Sequence, residues 1–228
     1  MRRKIFSVLC ISIFLASTLF AAGTVLAMSG GSSSNIVALV ALSNVRATGG
    51  GGGVSAAGGG NNLDLSKLQV GDIIVTAGGE IYGSRLLGGI VHTLIPGKWK
   101  HSAIYIGNGK IVEATEYGVI VSPVTKMLEW DEAAIYRVRT TDTVRQKAAQ
   151  WALTKVGLPY DYIWLTYFGG KQVEGDAYYC SELCWAAYKA AGGPDIDKNP
   201  GFHILYGFNV APIEIAEDGD TFQVAYSS

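Results

Sequence analysis

Cysteine is scarce in this sequence. The 228 residues contain three cysteines, of which Cys10 lies in a hydrophobic N-terminal run, so Cys180 and Cys184 are left in the remainder of the chain. Two cysteines spaced i, i+4 on one predicted helix do not readily reach disulfide geometry. A disulfide framework is therefore excluded, and the presence of a reduced thiol needs a chemical or a packing reason.

An excess of charge of either sign is also missing. The 18 Lys and Arg residues nearly balance the 19 Asp and Glu residues, so we predict no nucleic-acid partner. No internal repeat of solenoid length is present. A hydrophobic fraction of 49% is typical of one globular domain with a sizeable core.

Long hydrophobic runs are missing except at the N terminus. Arg2, Arg3 and Lys4 precede an uncharged apolar run over residues 5–28, which is the layout of an export signal. Small residues before the 27–28 bond suit cleavage there, so residues 1–27 are predicted to be a signal peptide. Without cleavage, the run over residues 5–28 is long enough to anchor the chain in a membrane. We therefore expect a secreted or extracellular protein, anchored if the signal is retained.

Residues 28–62 are rich in Gly, Ser and Asn, a composition typical of a flexible tether. The short apolar run Ile36–Leu42 within them has no assigned role. Residues 63–228 are predicted to form the folded domain.

Strand patterns come first in this domain and helix patterns follow, which predicts an α+β fold with a central antiparallel sheet. Gly107-Asn108-Gly109 is the strongest hairpin signal in the chain. The predicted strands are Asp72–Thr76, His101–Ile106, Lys110–Thr115, Val119–Val121 and Ala134–Val138, with a short helix or loop at Val124–Trp130.

Two helices are predicted. Asp142 is expected to cap the first, which ends before Gly157. In the second, apolar residues recur at helical spacing from Cys180 to Ala191, before glycine ends the run. Cys180 is therefore predicted to open the buried face of a helix.

A cysteine at a helix N terminus has a functional and a structural interpretation. Unpaired amides and the positive end of the dipole stabilise a thiolate there, and the amide of Cys180 can form part of an oxyanion hole. Free cysteine is also among the residue types most often buried, where it packs as a small hydrophobic side chain. We favour the buried interpretation for Cys184, and both remain open for Cys180 taken alone.

His101 and Glu113 lie on the two strands of the predicted hairpin, where a carboxylate can orient an imidazole. Side chains alternate between the faces of a strand, so the two residues share a face only if paired residue numbers have an even sum. A two-residue Asn108-Gly109 turn pairs residue 107 with residue 110, which gives an odd sum of 217 and places His101 and Glu113 on opposite faces. A three-residue Gly107-Asn108-Gly109 loop gives 216 and places them diagonally, so a functional pair predicts the bulged loop. His92 and His203 have no comparable setting.

Several segments resemble the circularly permuted papain-like hydrolases, and the YiiX-like amidases most of all. They are Gly71-Asp72-Ile73-Ile74, His101-Ser102-Ala103-Ile104-Tyr105-Ile106-Gly107, Glu113-Ala114 and Tyr179-Cys180-Ser181-Glu182-Leu183. The group is related to the NlpC-type cell-wall peptidases and, more distantly, to lecithin retinol acyltransferase. The resemblance implies Cys180 as nucleophile, His101 as general base and acid, and Glu113 as third member, with no metal or organic cofactor.

The sequence says less about the substrate than about the fold or the site. An extracellular location favours an amide bond in a peptide, such as a cell-wall peptide, whereas relatives also act on lipid acyl groups. Aromatic residues between Tyr160 and Phe168, namely Tyr162, Trp164 and Tyr167, either pack in the core, which we favour, or line a groove for an acyl chain. An apolar pocket would favour lipid, and an open polar cleft peptide.

Two interpretations from other classes remain. The fold can serve as a non-catalytic surface binding module, because fold does not fix function. Cys180, Cys184, His101 and Glu113 are also acceptable zinc donors, but an i, i+4 pair on a helix is not the spacing of a zinc knuckle.

Overall fold

The computed structural model describes residues 60–78, 95, 97–166 and 169–228. The expected signal, most of the expected tether, Ile36–Leu42 and His92 lie outside these residues. Within the described part, Asn61 is buried, and its side-chain amide donates to the carbonyls of Met127 and Trp130 at 2.9 and 2.8 Å. Asn61 therefore belongs with the domain.

Six strands form one antiparallel sheet in the order β4-β3-β2-β1-β5-β6. The strands are β1 (Ile73–Ala77), β2 (His101–Gly107), β3 (Lys110–Thr115), β4 (Gly118–Pro123), β5 (Glu132–Val138) and β6 (Thr221–Ser227). The first five match the strands predicted from hydrophobic patterning to within a few residues. The central position of β1 explains its uniformly buried side chains.

The β2–β3 hairpin has the predicted register with a different turn. Ala103 pairs with Glu113, which confirms the sum of 216 and the diagonal relation of Glu113 to His101. The predicted three-residue loop is wrong, because Gly107 pairs with Lys110 across a two-residue Asn108-Gly109 turn. Both turn residues have positive φ, as that tight turn requires. The register changes at a bulge between Tyr105 and Gly107.

Helix α1 (Asp142–Thr154) and helix α2 (Cys180–Ala190) cover one face of the sheet. The expected cap of α1 is wrong by one residue, since the Thr141 side chain accepts from the amide of Val144. Cys180 is the first residue of α2, as predicted. Most of α2 is buried, including Leu183 and Ala187 against the sheet.

The opposite face of the sheet has a thinner cover. The 3₁₀ helix Val124–Glu129 and Leu63 pack there against Ile74, Ala103 and Ile135. Buried apolar residues thus lie on both faces of the sheet, and alternation along β2 sends Ile104 to the α2 side and Ala103 to the other.

The C-terminal segment completes the fold in a way that the sequence did not predict. Helix α3 (Pro212–Glu217) follows a long irregular stretch, and β6 then pairs with β5 at the edge of the sheet. No helix in the described part of the chain is long and apolar enough to cross a membrane.

Candidate active site

Cys180 lies at the N terminus of α2 and is 4% exposed. Burial alone would raise the pKa of its thiol. Hydrogen bonding and charge from His101, with backbone hydrogen bonds from Ser102 and Ser181, outweigh burial and bring the pKa below the ordinary value. The surroundings of Cys180 therefore favour the thiolate, which is the nucleophilic form.

His101 begins β2, and its Nε2 lies 2.8 Å from Oε2 of Glu113. Both side chains are buried. Burial lowers the pKa of His101, but the hydrogen bonds and charges of Cys180 and Glu113 more than offset it and raise the pKa to about 10. Because Nε2 faces Glu113, Nδ1 is the ring nitrogen left for Cys180.

Glu113 is fully buried on β3. Burial would raise the pKa of its carboxyl group. The hydrogen bond and charge of His101, a hydrogen bond with Ser122 and the charge of Lys126 lower it instead. Glu113 is therefore an anion next to a cationic imidazole, which fixes the ring orientation.

Trp130 also holds the imidazole, and sequence reasoning missed it. Its ring stacks on that of His101 with centroids 5.7 Å apart and planes 5° apart. Trp130 is only 5% exposed and precedes β5. A large aromatic ring next to a strand was the only signal in the sequence, and it did not indicate which residue the ring would contact.

The other cysteine and histidine lie elsewhere. Cys184 is fully buried, and burial raises the pKa of its thiol far above the ordinary value. The Nδ1 atom of His203 accepts from the amide of Leu205, and the His203 ring stacks on Tyr206. Cys184 fits the predicted role of a small buried hydrophobe, and His203 contacts its own loop.

A cavity of about 150 Å³ opens next to Cys180. Tyr160, Trp164 and Leu165 line one side of it, and C-terminal residues including Leu205 and Val210 line another. Trp164 packs against the core, as we favoured, and also lines the cavity, while Tyr162 is 52% exposed. Tyr167 and Phe168 lie outside the described residues.

The C-terminal wall of the cavity is hydrogen-bonded to the residues on either side of the nucleophile. The amide of Val210 donates to the hydroxyl of Tyr179 at 3.0 Å, and the hydroxyl of Ser181 donates to the carbonyl of Val210 at 2.8 Å. Val210 lies 31 and 29 positions after these two residues in the sequence. The sequence analysis did not include this segment in the site.

The four residues considered as alternative zinc donors are not grouped as a ligand set in the described part of the chain. Among the residues that the structure describes, no group of three or more His, Cys, Asp or Glu side chains is arranged to hold a metal ion. Nε2 of His101 lies 2.8 Å from Oε2 of Glu113, and Cys184 is fully buried.

A cysteine that opens a helix, with a histidine and a carboxylate on strands that come earlier in the chain, is the arrangement expected of a papain-like site in permuted order. The family model of the "permuted papain-like amidase enzyme, YaeF/YiiX, C92 family" matches residues 67–209. The match covers more than half of the 228 residues, and the chain belongs to this family of cysteine amidases and peptidases. The predicted family and α+β fold are thereby confirmed.

Two proteins illustrate the likeness. The chain is 30% identical over 106 residues to the uncharacterized protein YycO of Bacillus subtilis, and the aligned stretch covers 46% of this chain and 42% of that relative. The crystal structure of the metalloprotein YiiX of Escherichia coli O157:H7 superposes with a TM-score of 0.52 at 21% identity. The superposition covers 69% of this chain and 97% of that one, and it supports the fold alone.

Proposed function

We propose that this protein is an exported thiol hydrolase that cleaves an amide bond, such as one in a peptide, through Cys180, His101 and Glu113. The observation that carries the proposal is the pairing of His101 with both a buried carboxylate and the thiol at a helix N terminus. Thiolate and imidazolium are the charge states that a cysteine hydrolase uses.

The reaction proceeds in two steps. The Cys180 thiolate attacks the carbonyl carbon, and the His101 imidazolium donates its proton to the leaving amine nitrogen as the amide bond breaks. Water then attacks the thioester carbonyl, His101 takes a proton from that water, and the Cys180 thiolate leaves. No metal or organic cofactor takes part in either step.

Negative charge on the carbonyl oxygen needs donors during both steps. The backbone amide of Cys180 is one candidate. Tyr160 lines the cavity beside Cys180, and burial together with the negative charge of Cys180 raises the pKa of its hydroxyl well above the ordinary value. Tyr160 therefore keeps its proton and is a neutral donor close to the nucleophile.

The pH dependence of Cys180 alkylation by iodoacetamide tests the thiolate–imidazolium pair. Because the Cys180 pKa is lowered, alkylation is expected at pH values below those that a free thiol of pKa about 8.5 requires. The His101→Ala variant removes the cation and returns the profile toward the free thiol. Cys184→Ser is the matched control and keeps the low-pH reactivity, since Cys184 is buried in the helix.

The same measurement separates catalysis from a non-catalytic binding role. A Cys180 profile identical to that of free cysteine, or labelling only after unfolding, would favour a binding module. Export is a separate part of the proposal and rests on residues 1–28. Fractionation of a culture should find the folded domain in the medium, or in the membrane fraction if residues 5–28 are retained, and its presence only in the cytoplasm would refute export.

A further inference from the structure

The cavity beside Cys180 has a marked chemical character. Its walls are formed mainly by aromatic and aliphatic side chains, and apart from the thiolate of Cys180 none of the described residues that line it carries a charge. The walls include Tyr160, Trp164, Leu165, Leu205, Val210 and Pro212. A charged group placed between these walls would lose its hydration, whereas an apolar group would be stabilised.

The position of the cavity relative to the two catalytic groups indicates which part of a substrate it holds. Its lining includes Tyr179, Cys180 and Ser181 but not His101. The leaving group must lie on the side of His101, because that imidazolium protonates it. Because the cavity is lined by Cys180 and not by His101, it is suited to the acyl group, which stays on the sulfur after the amine has left.

The walls beside the mouth are apolar as well. Leu165 and Leu205 line the cavity and are still 47% and 53% exposed. The side-chain amide of Asn209 donates to the carbonyls of Trp164 and Tyr206, which connects the short 3₁₀ helix Ile163–Thr166 that carries Leu165 to the loop that carries Leu205. An acyl group thus approaches Cys180 between two connected hydrophobic segments.

We propose that the cavity is the acyl-binding site and selects an uncharged, hydrophobic acyl group of about six carbon atoms. This inference rests on the proposed hydrolysis at Cys180. An apolar cavity of about 150 Å³ is the size that accommodates benzene. A hexanoyl chain or a phenyl-bearing acyl group fills that volume, and a carboxylate or ammonium on the acyl chain opposes binding.

Two chain-length series on the full-length protein test the inference. The first measures the rate at which methyl, butyl, hexyl and decyl methanethiosulfonates label Cys180, each divided by the rate with free cysteine. Labelling joins the alkylthio group to Cys180 and releases methanesulfinate, so it requires no hydrolysis. The second measures kcat/KM for acetyl, butanoyl, hexanoyl and decanoyl 4-nitrophenyl esters.

Burial of each methylene contributes about 0.8 kcal/mol, or about a fourfold increase in rate. Four methylenes separate acetyl from hexanoyl, so kcat/KM rises about 250-fold between them and then levels off. In the labelling series, 5-carboxypentyl methanethiosulfonate is expected to lose the advantage that the hexyl reagent has.

A cavity-filling variant shows where the preference arises. Ala211 lines the cavity, and Ala211→Leu should reduce the hexanoyl rate at least about tenfold more than the acetyl rate, because the added carbons occupy the space of the chain. Ala190→Leu makes the same change at an exposed position at the end of α2 and should keep the chain-length profile.

The outcomes distinguish the inference from the function on which it rests. Rates that rise with chain length in both series support the acyl site and the proposed hydrolysis. Dependence in the labelling series without turnover of any ester above the Cys180→Ala background supports the acyl site and refutes hydrolysis. Rates that do not change with chain length, equal labelling by the hexyl and carboxypentyl reagents, or an unchanged profile in Ala211→Leu would overturn the acyl site.

Discussion

Replacing Glu113 with glutamine removes one negative charge from the site and leaves a side chain of nearly the same shape. The amide oxygen of the new side chain can still accept the hydrogen bond that His101 Nε2 makes at 2.8 Å. Opposite charges about 4 Å apart in a protein interact by about 4 kcal/mol, which corresponds to about three pKa units. Measured effects of one neighbouring charge are about one to three units. Glu113→Gln should therefore lower the pKa of His101 from about 10 by about one to three units.

The assay is NMR titration of the histidine rings in the full-length protein. Only three histidines are present, so comparison with His101→Ala identifies the relevant signal. Because its pKa is raised, His101 is cationic below about pH 10 and neutral above it. In Glu113→Gln the ring should become neutral at lower pH, and the high-pH decline of activity should move with it. Titration at the same pH in both proteins would refute the proposed electrostatic role of Glu113.

Two further predictions concern stability. Asp72→Asn weakens the ion pair between buried Asp72 and partly exposed Arg137, whose guanidinium donates to both carboxylate oxygens at 2.8 and 2.7 Å. Urea unfolding should show a loss of about 1 to 3 kcal/mol; an unchanged midpoint would show that the pair contributes nothing net. Gly118→Ala should cost about 1 to 3 kcal/mol, because Gly118 has φ +97° and an added Cβ would lie 2.4 Å from the carbonyl oxygen of Leu158. Wild-type stability of that variant would contradict the close contact.

Local patterns in the sequence predicted the sheet and the helix that carry the site. Alternation and turn residues located five of the six strands, and apolar spacing located the start of α2 at Cys180. Parity along the hairpin left two registers open, and the expectation of a His101–Glu113 pair selected the observed one, although the turn that produces it was predicted wrongly. These inferences succeeded because each depends on residues close together in the chain.

Features that depend on distant residues could not be predicted in the same way. The contact of Trp130 with His101 and the attachment of Val210 to Tyr179 and Ser181 arise only when separate elements pack. The strand β6 follows irregular sequence and is stabilised by pairing with β5. The cavity depends on the relative positions of the 3₁₀ helix Ile163–Thr166 and the segment around Leu205 and Val210, which no periodicity in the sequence specifies.

The bulge between Tyr105 and Gly107 places a constraint on how the length of this hairpin can change. A single insertion or deletion in the turn without compensation would rotate every later side chain of β3 to the opposite face. Glu113 would then point away from His101, and its neighbour Val112 or Ala114 would take that place. Variants that keep the Glu113–His101 pair must therefore gain or lose residues here in pairs, or gain one together with a second bulge.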